Sequence, residues 1–118
     1  MTENVVDYIV VGAGAAGCVL AARLAVDPNV HVALLERGGM DSNPAIWAPD
    51  LPSMFSLWNP QGAEDWGYRT TPQAGLGGRT VDIARGRVLG GCSAVNAMIY
   101  IRGNRRDFDG WAALGNAG

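Results

Sequence analysis

The sequence predicts an α/β fold that begins with a β-α-β unit, and three observations support this prediction. The segment Val5–Val11 is short, rich in β-branched residues and followed by a glycine, which is typical of a buried parallel strand. An Ala- and Leu-rich stretch of helical character comes next, and a second apolar segment, Val30–Glu36, follows it. Because a parallel pair needs a right-handed crossover, residues 5–36 are predicted to form one such unit.

The connecting helix is predicted to run from Gly14 to Val26. Apolar residues recur along it at a spacing that would place them on one broad face: Val19, Leu20, Ala22, Leu24 and Val26. Asp27-Pro28-Asn29 is predicted to end this helix, because proline cannot continue it and its neighbours favour a turn.

The middle of the chain differs in composition from the first 36 residues. Residues 37–64 contain four prolines and are predicted to form an irregular excursion with one short helical turn near Leu51–Leu57. Residues 66–71 and 80–84 have the composition of short strands, and glycines separate them. We therefore expect these two strands to pair antiparallel.

The C-terminal part of the chain, residues 65–118, is predicted to hold a glycine-rich loop at 85–91, a helix over 92–101 and a helix over Asp107–Leu114. Two parallel strands and one hairpin do not complete a doubly wound sheet, which normally has five or six strands with helices on both faces. Such a core leaves open edges and one bare face. We therefore expect the 118 residues to be the N-terminal portion of a domain that further chain or a second subunit completes.

Composition argues against several classes of function. Hydrophobic residues make up 48%, charged residues 17%, and the formal net charge is −2, so nucleic acid is not an expected partner. No apolar run approaches the roughly 20 residues that cross a bilayer, and the acidic N-terminus lacks the features of a secretory signal. Two cysteines do not suggest a disulfide framework, and a cytoplasmic location is expected.

The first motif is Gly12-Ala13-Gly14-Ala15-Ala16-Gly17, a match to G-x-G-x-x-G. The pattern alone is weak, but here it directly follows a predicted strand and opens a predicted helix. Gly12 permits the tight turn, Gly14 lets the backbone approach a pyrophosphate, and Gly17 lets helix and strand pack closely. The helix N-terminus then offers N–H groups and partial positive charge to phosphate.

Glu36 ends the second predicted strand, 24 residues after Gly12. An acidic residue at this place is suited to accept hydrogen bonds from an adenosine ribose, and it disfavours a 2′-phosphate and hence NADP. This unit alone leaves FAD and NAD open as ligands.

A second motif, Gly86-Arg87-Val88-Leu89-Gly90-Gly91-Cys92-Ser93-Ala94-Val95-Asn96, lies about 75 residues after the first. Its paired glycines run into small residues and favour a second anion-binding nest. Two backbone sites for phosphate in one short chain suit a long dinucleotide, and FAD is the natural candidate.

This second motif resembles a signature of the glucose–methanol–choline (GMC) oxidoreductases, Gly-Arg-x-Leu-Gly-Gly-x-Ser-x-x-Asn, here followed by Tyr100 and Gly103. The start of the chain, Asp7–Gly14, and the segments Ile101–Asn104 and Asp107–Trp111 are also similar to members of that family. The similarity is closest to the choline dehydrogenase and the aryl-alcohol or hydroxymethylfurfural oxidase branches. It covers the whole chain but only about the N-terminal fifth of the family's length.

The resemblance implies a set of cofactor contacts. Backbone at Gly12, Gly14, Ala15 and Ala16 would approach the FAD pyrophosphate, and Glu36 would bind the ribose. The second motif would run along the pyrophosphate and ribityl chain and then touch the isoalloxazine, mainly through backbone amides that stabilise the reduced ring. The predicted residues of this second part are Arg87, Gly90, Gly91, Cys92, Asn96, Ala97, Met98 and Ile99.

The resemblance also implies the reaction, in which FAD oxidises a small primary alcohol to an aldehyde and then passes electrons to an acceptor. The family's catalytic histidine pair is not in this chain, and the single histidine, His31, lies in a predicted strand of the nucleotide unit. No catalytic residue is therefore assigned. Some relatives attach FAD through a histidine where this chain has Val95, so a noncovalent flavin is expected. Arg37 replaces a small residue that usually follows the glutamate, and two readings stay open: it alters the adenosine end of the site, or it is simply exposed.

Three alternatives remain open from the sequence. An NAD-dependent protein would account for residues 5–36 but not for the second glycine nest. A truncated or split chain could bind nucleotide without catalysis. Within the family, lyase or photodecarboxylase chemistry is also compatible with these residues. Cys92 is interpreted as a small spacer rather than a redox thiol, and Cys18 as a small core residue.

Overall fold

The computed structural model describes residues 5–116, and its first elements form the predicted β-α-β unit. Strand β1 spans Tyr8–Val11, helix α1 spans Ala15–Leu24 and strand β2 spans Val32–Leu35. The strands pair parallel, from Tyr8 opposite Val32 to Val11 opposite Leu35. The carboxyl ends of both strands and the N-terminus of α1 therefore lie at the same edge of this small sheet.

Two glycines make the turn between β1 and α1 possible. Gly12 has φ +92°, a left-handed conformation that glycine adopts without the steric cost of a Cβ. A Cβ on Gly17 would lie 1.9 Å from the Gly12 carbonyl oxygen, which is far inside van der Waals contact. The close approach of α1 to the end of β1 therefore depends on Gly17 lacking a side chain, as predicted.

The predicted excursion after β2 contains one 3₁₀ turn, Pro44–Trp47, and one short helix, α2, at Leu51–Leu57. Side chains cap both: Asn43 Oδ1 accepts from Ala45 N at 3.0 Å, and Asp50 Oδ1 accepts from Ser53 N at 2.8 Å. The helical turn expected at this place is confirmed.

The predicted antiparallel pair forms, but each strand is only two residues long. Strand β3 is Tyr68–Arg69 and strand β4 is Asp82–Ile83, joined through a 3₁₀ turn at Ala74–Leu76. Arg69 Nε lies 2.6 Å from Asp82 Oδ1 across the pair. Both side chains are largely exposed, so this ion pair fixes register more than it adds stability.

The helix predicted over 92–101 is wrong. A 3₁₀ turn covers Gly91–Ser93, and the chain then continues without regular structure until α3 at Arg105–Ala113. Met98 has φ +53°, which a helix cannot contain. The Asn96 side chain stabilises this bend by donating to Ser93 O at 2.5 Å and accepting from Met98 N at 2.6 Å.

Helix α3 confirms the last predicted helix, with its start two residues earlier than expected. Asn104 caps it by accepting from Arg106 N at 3.0 Å. None of the helices within residues 5–116 is long and apolar enough to cross a membrane.

The side-chain core is small and lies away from the β-α-β unit. Leu57, Val88 and Val95 are each less than 5% exposed and form its centre, with Trp58 packed beside them. The Trp58 indole N–H donates to Val95 O at 2.7 Å. This cluster joins α2 to the second glycine motif.

The prediction that β1 is a buried strand is wrong within the described chain. Only Val10 of β1 is buried, whereas Ile9 is 62% and Val11 82% exposed. Helix α1 has no buried residue. The radius of gyration is 19.0 Å, against about 13–14 Å for a compact domain of this length. These partial sheets are those of an incomplete Rossmann-like unit.

The glycine packing yields a matched pair of helix variants. Gly17→Ala should destabilise the protein by at least about 1–3 kcal/mol, the usual range for overpacking, because its Cβ meets backbone that cannot yield. Gly110→Ala in α3, where nothing lies within 4 Å of the added Cβ, should instead stabilise by up to about 1 kcal/mol through helix propensity. Urea unfolding of both variants measures this, and equal effects of the two would contradict the packing argument.

Candidate cofactor site

The first wall of the site is the glycine turn at the N-terminus of α1. Gly14 is the N-cap residue and provides no side-chain cap, and no acidic residue stands in the first turn. The first N–H groups of a helix have no partner within the helix, and they carry partial positive charge. Ala15 and Ala16 lie in this exposed first turn, and Gly17 packs behind it. The turn therefore offers backbone N–H groups at its open end, and that they bind a phosphate stays a prediction.

The second glycine motif docks directly onto the first. Gly90 N donates to Ala13 O at 2.8 Å, and Gly14 and Gly90 form a parallel bridge. A Cβ on Gly91, which has φ +57°, would lie 2.9 Å from Gly14 Cα. The two motifs, about 75 residues apart in sequence, thus meet backbone to backbone with no side chain between them.

The second motif also pairs with the segment that follows β2. Leu89 N donates to Gly39 O at 2.9 Å, and Gly39 forms a parallel bridge with Val88. A Cβ on Gly38 would lie 2.1 Å from Arg87 O, so this approach again needs glycine. The role of Gly38 and Gly39 was missed in the sequence analysis, although a glycine pair directly after Glu36 is a usable signal.

Glu36 ties the end of β2 to the first turn. Its Oε2 accepts from Ala13 N and its Oε1 from Gly38 N, each at 2.8 Å. The hydrogen bond from Gly38, and those from Ala13 and Arg37, lower the pKa of this carboxyl from its ordinary value of 4.5, against a partial rise from burial. A carboxylate has about four acceptor positions, so both oxygens keep capacity for a further donor.

The two motifs and Glu36 share one open cleft of about 560 Å³. Among the predicted residues it is lined by Gly12, Gly14, Glu36, Gly91 and Cys92; Arg37 and Trp66, which were not predicted, line it too. A Cβ on Gly12 or Gly14 would meet nothing within 4 Å, so open space lies directly in front of the turn. The backbone N–H groups can donate to a dinucleotide phosphate, and the carboxylate can accept from a ribose hydroxyl. Together with the open space in front of them, these groups fit a dinucleotide.

Cys92 is exposed and also borders a neighbouring cleft of about 480 Å³ together with Asn96. Six of the fourteen predicted residues therefore line these two clefts, whereas Gly90 and Met98 line a third cleft of about 420 Å³. Ala97 is half-buried, whereas Met98 and Ile99 are exposed. Cys18 is only partly buried, and its thiol donates to Ala13 O at 3.2 Å.

Arg87 forms structural hydrogen bonds that the sequence did not predict. Its Nε donates to Ala63 O at 3.0 Å and its Nη2 to Gly62 O at 3.1 Å. Its backbone N–H donates to Glu64 O at 2.7 Å. The side chain thus fastens the second motif to the irregular excursion and does not line the 560 Å³ cleft. A contact of Arg87 with cofactor stays a prediction.

Three known proteins show how far the likeness extends. An alcohol dehydrogenase (acceptor) of Pseudomonas putida is 46% identical over 109 residues, which are 92% of this chain and 19% of the relative. An oxygen-dependent choline dehydrogenase of Photobacterium profundum is 45% identical over 114 residues, 95% of this chain and 19% of the relative. The crystal structure of pyridoxine 4-oxidase from Mesorbium loti is 43% identical, with a TM-score of 0.74, and is matched over 92% of this chain and 21% of that chain.

This chain thus spans about a fifth of the length of the relatives it matches. Residues 6–118 match the family described as GMC oxidoreductase. The chain therefore belongs to the GMC oxidoreductase family.

Proposed function

We propose that this chain is the FAD-binding segment of an oxidoreductase that oxidises a primary alcohol to an aldehyde. The observation that carries the proposal is the 2.8 Å hydrogen bond from Gly90 N to Ala13 O, which joins two phosphate-type glycine motifs at one cleft. Membership of the GMC family implies FAD as the cofactor. An NAD-dependent protein would use the first motif and leave the docked second motif without a role.

In this proposal the backbone amides at the start of α1 hold the pyrophosphate, and Glu36 accepts from the ribose hydroxyls. Gly91 and Cys92 continue the contact toward the ribityl chain. When bound, FAD supplies the acceptor for the hydride that leaves the alcohol carbon. The names of the relatives support an alcohol or a comparable CH–OH donor as the substrate class.

Asn96 is proposed to position the backbone that faces the flavin ring. Its side chain donates to Ser93 O and accepts from Met98 N, which fixes the bend at Met98. The Met98 N–H is therefore already hydrogen-bonded within the protein. Within residues 5–116 the N–H groups of Ala97 and Ile99 form no hydrogen bond with the protein. These two amides are then the donors proposed to stabilise negative charge on the ring, as predicted from the resemblance.

The group that takes the hydroxyl proton is proposed to lie outside these 118 residues. His31 is an unsuitable base because it sits beside the amino end of β2, at the opposite end of the strand from the cleft. Its ring lies 3.7 Å from the exposed Asp7 carboxylate, and Asp7 accepts the His31 backbone N–H at 2.8 Å. The chain alone is therefore proposed to be inactive with alcohols.

The flavin is proposed to be noncovalent. Val95, which stands where some relatives carry the attachment histidine, is 4% exposed and packs in the core with Leu57 and Val88. An aliphatic side chain offers no nucleophile to the flavin. A cytoplasmic location remains part of the proposal and is compatible with two free thiols, Cys18 and Cys92.

The cofactor proposal is tested on the full chain as it occurs natively, by its visible absorption spectrum. Flavin absorption bands are expected, with one FAD per chain, and acid precipitation should leave the FAD in the supernatant because the linkage is noncovalent. A colourless protein that takes up neither FAD nor FMN would contradict the proposal. Yellow precipitated protein with no released FAD would contradict the noncovalent linkage alone.

A Glu36→Gln variant tests the role of the carboxylate. The folded-state pKa of Glu36 lies below 4.5, so its stabilising effect is present above about pH 4.5 and lost as pH falls and the group is protonated. We expect the variant to be less stable at pH 7 by the order of 1–2 kcal/mol, since a glutamine cannot accept both backbone bonds through oxygen. Denaturant unfolding at pH 7 and at acidic pH should show this difference shrinking.

The matched control is Glu64→Gln, which changes the net charge equally but lies away from the cleft, where Glu64 Oε1 accepts from Asn43 Nδ2 at 2.9 Å. Only Glu36→Gln should weaken FAD binding, by about tenfold for a lost charged hydrogen bond of ~1.4 kcal/mol. Equal FAD affinity in both variants would exclude the proposed ribose contact.

A further inference from the structure

Arg37 is a cation that lines the candidate cofactor cleft and has no partner among the residues that the structure describes. It directly follows Glu36, and it lines the same 560 Å³ cleft as Gly12, Gly14 and Gly91. Its side chain is exposed, and within residues 5–116 it forms no ion pair and no side-chain hydrogen bond. A guanidinium stays protonated at all working pH values, so this charge is permanent.

Arg37 determines the sign of the net charge of the cleft. Among the described residues that line the cleft, only Glu36 and Arg37 are charged at neutral pH. Without Arg37 the cleft would hold one negative carboxylate, offset in part by the roughly +0.5 charge of the α1 N-terminus. Without Arg37 an anionic diphosphate would then meet a net negative site, whereas Arg37 makes the site net positive.

The identity of the ligand rests on the proposed function. We propose that Arg37 is a specificity-determining residue that pairs with the anionic ADP half of the cofactor. Its charge then selects adenosine nucleotides that carry a diphosphate over uncharged adenosine. A point charge can provide this attraction, so a lysine at the same position should retain most of it.

The test is a titration of the apo form of the full chain with FAD, ADP and adenosine, at low and at high salt. An ion pair near a protein surface in water is worth ~1 kcal/mol, so Arg37→Ala should raise the Kd for FAD and for ADP by about fivefold at low salt. The effect should shrink at high salt through screening. Arg37→Lys should stay within about twofold of the native chain.

Arg23→Ala is the matched control. Arg23 lies in the last turn of α1, outside the cleft, and its loss changes the net charge of the chain equally. This variant should bind FAD and ADP as the native chain does. Unchanged FAD and ADP affinity in Arg37→Ala, or an equal loss of affinity for adenosine, would overturn the proposal, since neither is an effect of charge on a diphosphate.

The same titration separates the two proposals. Binding of ADP that depends on Arg37, without binding of FAD, would reject the flavin function and support the role of Arg37. Binding of FAD with the same affinity in the native chain and in Arg37→Ala would support the flavin function and reject the role of Arg37. Absence of both FAD and ADP binding in the native chain would reject both.

Discussion

The contact on which the site depends is the approach of two backbone segments with no side chain between them. Ala13 is fully buried, its carbonyl accepts from Gly90 N, and its N–H donates to Glu36. A backbone hydrogen bond of this kind contributes about 1 kcal/mol, but an unmet buried partner costs more. One alanine therefore links both glycine motifs to the end of β2, and the cleft exists because these three pieces are held together.

In the proposed function, Glu36 serves the fold and the ligand at once. Its two oxygens already accept from Ala13 and Gly38, so its charge is stabilised before any ligand arrives. A ribose hydroxyl would add a bond rather than replace one, because each carboxylate oxygen has a second acceptor position. Loss of the carboxylate then weakens the turn and the binding of nucleotide together, so stability and affinity have to be measured separately.

Turns and close approaches that glycine and proline sterics require could be predicted from the sequence, whereas hydrogen bonds made by particular side chains could not. Gly12, Gly17 and the turn at residues 27–29 follow from the steric properties of glycine and proline. The bend at Met98 could not be predicted, because residues 92–101 have a helix-compatible composition and the bend depends on two bonds made by Asn96. The motif of Arg87 predicts a cofactor contact, which stays a prediction, but it could not predict that the guanidinium donates to carbonyls 24 and 25 residues away.

The burial of β1 was mispredicted because the composition of a strand shows only which residues it could bury. Whether they are buried depends on the elements that pack against the strand. Val11 borders the cleft and is 82% exposed, while the second motif is anchored through Val88, which is 1% exposed. The cleft therefore combines one wall fixed to a side-chain core with another held mainly by backbone bonds. Regions with few buried contacts open at low free energy. A ligand that contacts both walls binds only while the two glycine motifs are docked onto each other. Its binding energy should therefore also stabilise the fold around the first glycine turn.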